Sequence, residues 1–396
     1  MQARFPVSWF TLLVASFLAA PAFGCLWDYD TLQMERQRFP RALELITGKF
    51  LRHSPTFYRW RVTDRKRRLQ QDSSDVRLYD DLAVAYDKLG QHDKAIETIL
   101  KAKALEPNRY ETHANLGTFL IHAGKLKEGL KHIKRAIAIN PNAHFGREVY
   151  QKLLVEYVLS RQQDGKTVLP LRDQPSEELE LGGFDQFVLK AQGVEGDSAK
   201  QVAELRKATQ GVLGMMRFGK HDSPILLEAL GDLLCFLDGY QAKADAKRLA
   251  ARAYLKAAHE CADSEVKKKY YELSAEALAL QTVRRSSRDE EKLAHVERVF
   301  QQELKEAERW YQVVERDEKR WLASGKNPEE EYSRKYYDEP SIESEEPAGF
   351  SYWVVVWWVM GGICCLTLGL VIYGWRASKR RQIALTTKPT GSLDER

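Results

Sequence analysis

The chain has 396 residues, of which 30% are charged and 44% hydrophobic, with 61 Lys and Arg against 56 Asp and Glu. Its formal net charge of +5 sits at the two ends, on Arg4 and on a tail from Arg376 to Arg396 that holds six basic and two acidic residues. The portion between is close to neutral, basic in its first half and acidic in its second, which argues against the basic footprint of a nucleic-acid binder.

Residues 1–24 open with Arg4, run apolar from Val7 to Ala20, and end on the small residues Ala20, Ala22 and Gly24. That pattern predicts a secretory signal peptide cleaved after Ala22 or Gly24. The run is shorter than the ~20 residues a membrane span needs. Cys25 after Gly24 suggests a lipoprotein site, which Pro21 and Phe23 fit poorly. Asp28 and Asp30 are two carboxylates, too few to argue for Ca²⁺. Phe39–Arg52 and Pro55–Gln71 read as two helices, with Arg61, Arg65 and Arg68 where packing residues belong. Residues 25–75 are therefore expected to be a degenerate N-terminal repeat or cap. The basic run Arg59–Arg68 reads as a solvated helix face.

Residues 76–143 carry one pattern twice. Tyr79-x2-Leu82-Ala83-x2-Tyr86, Gly90, Ala95-x3-Ile99, Ala102 and Pro107 recur 34 positions later. The second copy is His113-x2-Leu116-Gly117-x2-Leu120, Gly124, Gly129-x3-Ile133, Ala136 and Pro141. The pattern predicts a helix A from about Val76 to Leu89 and a helix B from about Asp93 to Leu105. Ala83 and Ala95, and later Gly117 and Gly129, let two helices cross closely. Gly90 and Gly124 stand where helix A stops, and Pro107 and Pro141 close each unit. This period and spacing resemble the tetratricopeptide repeat, and residues 76–143 are identified with that family.

The resemblance implies helical hairpins stacked into a solenoid whose concave face binds other proteins. It places helix A inside the curve. The candidate partner-binding residues are then Asp80, Val84, Asp87 and Lys88 in the first unit, and Ala114, Asn115, Thr118, Ile121 and His122 in the second. This mixed surface suits a partner segment with basic and apolar side chains. Two units make a short groove, which fits micromolar affinity better than nanomolar. Of the groove residues by which some relatives grip a C-terminal carboxylate, Asn115 is present. Asp80, Val84, Glu111 and Thr118 are not basic, which argues against that mode.

His144–Arg161 reads as a capping helix with Tyr150, Leu154, Tyr157 and Val158 on one face. Residues 162–183, with Gly165, Pro170, Pro175, Gly182 and Gly183, read as a connector. Residues 184–283 form a divergent helical-hairpin region. Ser223-Pro224 marks a helix start there; Leu226–Leu234 resembles a helix A and Arg248–Ala258 a helix B. Residues 284–324 hold a long charged helix, Arg288–Leu322, whose rough heptad of Leu293, Val296, Phe300, Ala307, Trp310, Val314 and Trp321 is broken by Glu303 and Asp317. It is expected to bury that stripe against its own chain, leaving the exported part monomeric. Residues 325–349 read as an acidic, poorly ordered stalk.

Phe350–Trp375 contains no charged residue and is long enough to span a bilayer. Trp353, Trp357, Trp358, Tyr373 and Trp375 cluster toward its ends, and Arg376, Lys379, Arg380 and Arg381 follow at once. With the signal this predicts a single-pass type I protein of the cytoplasmic membrane. Residues 25–350 lie on the periplasmic or extracellular side, and 376–396 form a basic cytoplasmic tail. Cys364 and Cys365 fall in the span. Cys235 and Cys261 are left as either a disulfide or two separate thiols.

There is no Gly-x-Ser-x-Gly, phosphate-binding loop or His-Glu-x-x-His. Gly219-Lys-His-Asp222 reads as a helix cap rather than a base with its carboxylate. His113, His122 and His132 lack the i, i+4 spacing of a helical metal pair. No cofactor and no metal are expected. The wider chain also resembles exported, C-terminally anchored repeat proteins of planctomycete-type bacteria. Three segments carry that likeness: Cys25–Leu32, Asn140–Tyr150 and Gly211–Pro224. It brings no activity with it. The sequence thus predicts an all-α, non-enzymatic, membrane-anchored scaffold for another exported or membrane protein. The alternatives are an enzyme with its site in 184–283 and a stalk that self-associates.

Overall fold

The computed structural model describes Arg36 and residues 39–141, 146–173, 182–194, 196–236, 246–279 and 287–343. The expected signal peptide, Cys25, Asp28, Asp30, the apolar segment 350–375 and the basic tail lie outside these residues. Among the described residues no helix is long and apolar enough to cross a membrane.

The helices are α1 (Ala42–Thr47), α2 (Pro55–Gln71), α3 (Val76–Lys88), α4 (His92–Leu105), α5 (Tyr110–His122), α6 (Leu126–Ile139) and α7 (Arg147–Ser160). A 3₁₀ turn at Leu171–Asp173 precedes α8 (Phe184–Ala191), α9 (Ser198–Phe218), α10 (Pro224–Phe236), α11 (Lys247–Glu260), α12 (Ser264–Ala279), α13 (Ser287–Ala323) and α14 (Pro328–Lys335). The described residues contain no strand, only an isolated bridge between Gln163 and Lys166.

Short polar side chains start several of these helices. Ser54 caps α2 by accepting from the Thr56 N–H, with Pro55 as its first residue. Asp75, Asp197 and Asn327 do the same for α3, α9 and α14. Helices α3 and α5 stop in the same way. Gly90 and Gly124 take φ of +72° and +77°. The Gln91 N–H then reaches Tyr86 O at 2.9 Å, and the Lys125 N–H reaches Leu120 O at 2.8 Å. This left-handed ending suits Gly, which has no Cβ to clash.

Helices α2 to α7 pack each on the next, and α3 also touches α5. Leu82, Ala83, Tyr86, Ala95, Ile99, Ala102, Leu116, Phe119 and Leu120 form one buried cluster between them. Gly117 and Gly129 face each other where α5 crosses α6. A Cβ on Gly117 would lie 2.7 Å from Ile133 Cδ1, and one on Gly129 would lie 2.7 Å from Gly117 O. The small residues of the repeat pattern therefore mark a true close crossing.

Four segments differ from the sequence expectation. Helix α1 spans only Ala42–Thr47, because Gly48 turns left-handed at φ +89° and returns its N–H to Glu44 O. It packs on α9, α11 and α13 rather than forming a hairpin with α2. Arg65 on α2 is buried yet satisfied, donating to Asp81, Asp64 and Glu329 at 2.8, 2.6 and 2.6 Å. Helix α7 does not hide an end of the stack. Its residues Tyr150, Leu153, Leu154, Tyr157 and Val158 join the larger core that continues through α8 to α13.

The third segment is 162–173, expected only as part of a connector, which is bonded into the core. Leu171 is buried, and the Leu171 and Arg172 N–H groups donate to Glu228 at 3.0 and 2.9 Å. The fourth is the acidic segment, read from sequence as a poorly ordered stalk. Residues 326–343 instead fold back on the chain. Tyr332 and Ile342 are buried, and Val314, Trp321 and Tyr332 form a small cluster where α14 meets α13. The acidic residues find cations: Glu329 meets Arg61 and Arg65, and Glu339 meets Arg41 and Arg217.

Helix α13 lays its stripe on α1, α2, α11, α12 and α14. Both heptad breaks are ion contacts. Glu303, fully buried, accepts two bonds from Arg252 at 2.8 and 2.9 Å. Asp317 accepts from the Tyr336 hydroxyl at 2.5 Å, from Arg320 and from Lys335. Cys235 and Cys261 are free thiols.

Gly117→Trp is expected to unfold the repeat pair or lower its stability by at least the 1–3 kcal/mol typical of overpacking. Thermal denaturation followed by circular dichroism checks this, and an unchanged midpoint contradicts the crossing.

Candidate functional site

The outer helices α4 and α6 are largely exposed, and the inner helices α3 and α5 are mostly covered. Every predicted partner-binding residue falls on the inner pair and is half-buried. The structure does not leave them as one open groove. Asp80 accepts from Arg109. Its Oδ1 has no hydrogen-bond partner, and burial, opposed by Arg109, raises its pKa. Val84 packs against the first-repeat cluster. The Lys88 ammonium donates to Phe218 O and Gly219 O at 2.7 and 2.5 Å. Those carbonyls end α9, where the helix dipole favours a cation. Burial, with Arg52 nearby, still lowers the Lys88 pKa.

In the second unit, Thr118 donates to Ala114 O at 2.9 Å and accepts from Gln151 at 3.0 Å. Ile121 lies against Gly129, and Asn115 is half-buried on the same face. The end of α9 and the first turns of α7 thus lie along the face that the repeat pattern presents inward.

The remaining two residues, Asp87 and His122, meet a third that sequence reasoning missed. Asp87 is in the last turn of α3, His122 ends α5, and His92 begins α4 just after the Gly90 turn. Asp87 Oδ1 lies 2.9 Å from His92 Nδ1 and 3.0 Å from His122 Nδ1, and Oδ2 lies 2.9 Å from His122 Nδ1. The rings sit 5.8 Å apart at 62°. The Asp87 side chain is only 8% exposed. Burial alone would raise its pKa; the two imidazoles outweigh that and hold it below the ordinary carboxylate value. One donor atom from each of the three residues lies within 4.8 Å of the others, a spacing that could hold a metal ion. A shallow depression of about 450 Å³ opens beside them, lined by Gly90, Gln91, His92, Asp93, Lys94, His122 and Ala123. The histidine spacing along the chain gave no sign of this, because the group is assembled from the ends of three helices.

His113 and His132 form a different pair between α5 and α6. Their Nδ1 atoms are 3.0 Å apart and their rings 5.2 Å apart. His113 Nε2 lies 3.0 Å from Pro107 O, which can only accept. His113 Nε2 therefore carries hydrogen, its Nδ1 accepts, and His132 Nδ1 donates. Burial pushes His132 down to about 4. The pair is a neutral latch between hairpin and inter-repeat turn. His221, in the Gly219–Asp222 motif, packs edge-on to Phe50 at 5.3 Å, and burial, with Arg52 nearby, pushes it down to about 3.

In the 184–283 region, three carboxylates gather in the core: Asp185, Glu228 and Asp232. Glu228 accepts from the Tyr270 hydroxyl at 2.7 Å as well as from the two N–H groups of the 3₁₀ turn. Asp232 accepts from Tyr254 at 2.7 Å, Phe184 N–H at 2.8 Å and Arg172 at 3.0 Å. Burial and the neighbouring Asp232 push Asp185 and Glu228 each up to about 7. Burial raises Asp232 against the pull of Arg172. These bonds tie Leu171, Arg172 and Phe184 onto Glu228 and Asp232 of α10.

Residues 76–109 match the tetratricopeptide repeat family. The search of curated proteins found no match to the chain.

The acid cluster carries a pH signature. An acid raised in the fold keeps its proton where the unfolded chain has lost it. Its stabilisation is full below the ordinary carboxylate pKa and is lost as pH rises to about 7. Asp185→Asn removes that titration. The variant's thermal midpoint is expected to gain on the wild type as pH rises from about 5 to about 8. A constant difference across that range contradicts the raised pKa.

Proposed function

We propose that the chain is a scaffold that binds another protein through its helical repeats. The observation that carries this is the tetratricopeptide match over 76–109. Support comes from the recurrence of its residue pattern 34 positions later, with the same helix-ending bonds at Gly90 and Gly124. Such repeats present an inner face to a partner segment. Here that face holds Asp80, Val84, Asp87, Lys88, Asn115, Thr118, Ile121 and His122. Asp80, Asp87, Lys88, Thr118 and His122 already bond within the chain, so the reading centres on Asn115. No catalytic step is part of it.

The reading extends to location on the sequence features alone. A signal-like start, an uncharged 350–375 segment and a basic tail favour an exported body with a single-pass anchor in the cytoplasmic membrane. The partner is then another exported or membrane protein.

Two measurements test this. Cross-linking in intact cells should capture a discrete protein, and Asn115→Arg should cut capture about tenfold, the equivalent of about 1.4 kcal/mol, with the helical spectrum intact. Undiminished capture by a folded variant places the site elsewhere. An enzyme active only outside the cytoplasm should be inactive when fused after Ser378 and active when fused after Ser344. Strong activity after Ser378 would falsify the topology.

A further inference from the structure

We propose that Asp87, His92 and His122 form a binding site for a divalent transition-metal ion of the zinc type, lying between the two repeats. The inference stands apart from the protein-binding reading, because it rests only on three side chains and the space beside them.

The donor set is two imidazole nitrogens and one carboxylate oxygen. Zinc takes these ligands readily, and three protein ligands with one open position is a recurrent arrangement for it. Hard cations such as Ca²⁺ and Mg²⁺ want oxygen instead. The geometry is close to what a metal needs. With metal–ligand bonds of about 2.0–2.2 Å, tetrahedral ligands stand roughly 3.2–3.6 Å apart. Asp87 is already 2.9 and 3.0 Å from the two Nδ1 atoms, and all three donor atoms fall within 4.8 Å. A few tenths of an ångström of opening on the carboxylate side and a modest closure of the rings would seat an ion.

Proton balance is simple. In the metal-free form both Nδ1–H groups donate to Asp87. On metal binding each Nδ1 gives up that hydrogen and lends its lone pair to the ion: a neutral ring moves the hydrogen to Nε2, and an imidazolium releases one proton to solvent, so metal and proton compete.

Position favours the site as well. The nearly buried Asp87 is held by the rigid last turn of α3, whereas His92 and His122 sit at helix ends beside Gly90 and Gly124 and are 33% and 24% exposed. One ligand is fixed and two can adjust. The nearest cation in sequence, Lys88, is drawn to the carbonyls ending α9. Lys94 lines the depression, opposed there by Asp93. The fourth coordination position faces this open side and is free for water or for a side chain of another molecule.

The test uses the full-length chain in detergent, stripped of metal with a chelator. Zn²⁺ is titrated against a chromophoric competitor, and Co²⁺ against its visible bands. The wild type is expected to bind one ion at micromolar affinity or better, with four-coordinate Co²⁺ bands and a raised thermal midpoint. His92→Ala with His122→Ala should lose at least about a hundredfold in affinity, or about 2.7 kcal/mol, and Asp87→Asn about tenfold. Failure of saturable binding by the wild type, or equal binding by the double variant, overturns the site. If the double variant does not fold, the wild type decides. Zinc must then shift the ring resonances of His92 and His122 and leave those of His113 and His132 in place.

Discussion

One buried carboxylate fixes how the chain closes on itself. Glu318 of α13 is fully buried and accepts from the Ser54 N–H at 3.0 Å and from His53 Nδ1 at 2.8 Å. His53 in turn stacks on Phe57 at 3.5 Å. The start of α2 is thereby tied to a helix more than 260 residues downstream. Neighbouring contacts repeat the tie: Lys49 donates to Glu306 and to Ser341 O, both at 2.5 Å, and Ile342 N–H donates to Glu44 at 3.1 Å. Truncating one partner of a buried set like this costs more than the bond itself, since the other is left dry and unpaired. The repeat stack is held at this end by α13 and α14, and at the other by α7 running into the larger core.

That double attachment shapes what the repeats can present. A free-standing solenoid offers a whole concave face. Here the inner helices carry Lys88 against the end of α9 and Thr118 against α7. An open depression remains beside the hairpin turns, lined by Gly90–Lys94, His122 and Ala123. The exposed Leu100 and Leu105 on α4 add apolar area on the outer side.

The repeat unit was legible because its residues answer to local rules. Ala83, Ala95, Gly117 and Gly129 are small for close crossing, and Gly90 and Gly124 end helices. These needs act within 34 residues and leave a periodic trace. The long helix was legible for the same reason, through its stripe. What sequence could not supply was pairing across distance. Arg65 and Glu329 each look like solvated charge in their own segment, and only their meeting at 2.6 Å turns an acidic stalk into a folded strap. Glu303 reads as a flaw in a heptad until Arg252 is placed opposite. Composition misleads over residues 326–343, because Glu329 is neutralised by Arg61 and Arg65 and Glu339 by Arg41 and Arg217, all distant in sequence.

The candidate site shows the same limit more sharply. Repeat symmetry would pair Asp87 with Ile121 and Lys88 with His122, one unit apart. The side chains that meet are instead Asp87 and His122, a diagonal across neighbouring inner helices. His92 joins from the turn that follows Gly90. The left-handed glycine reverses the chain sharply enough to return α4's first residue over the end of α3. A periodic search compares like with like and passes over such a diagonal. The cluster is therefore a property of stacking two unlike copies: an acid supplied by the first, an imidazole by the second, and a second imidazole by the turn between helices. Had the second copy repeated the first at these positions, a Lys would stand where His122 does and the carboxylate would face an ammonium, which is no metal ligand; had the first repeated the second, an Ile would stand in place of Asp87.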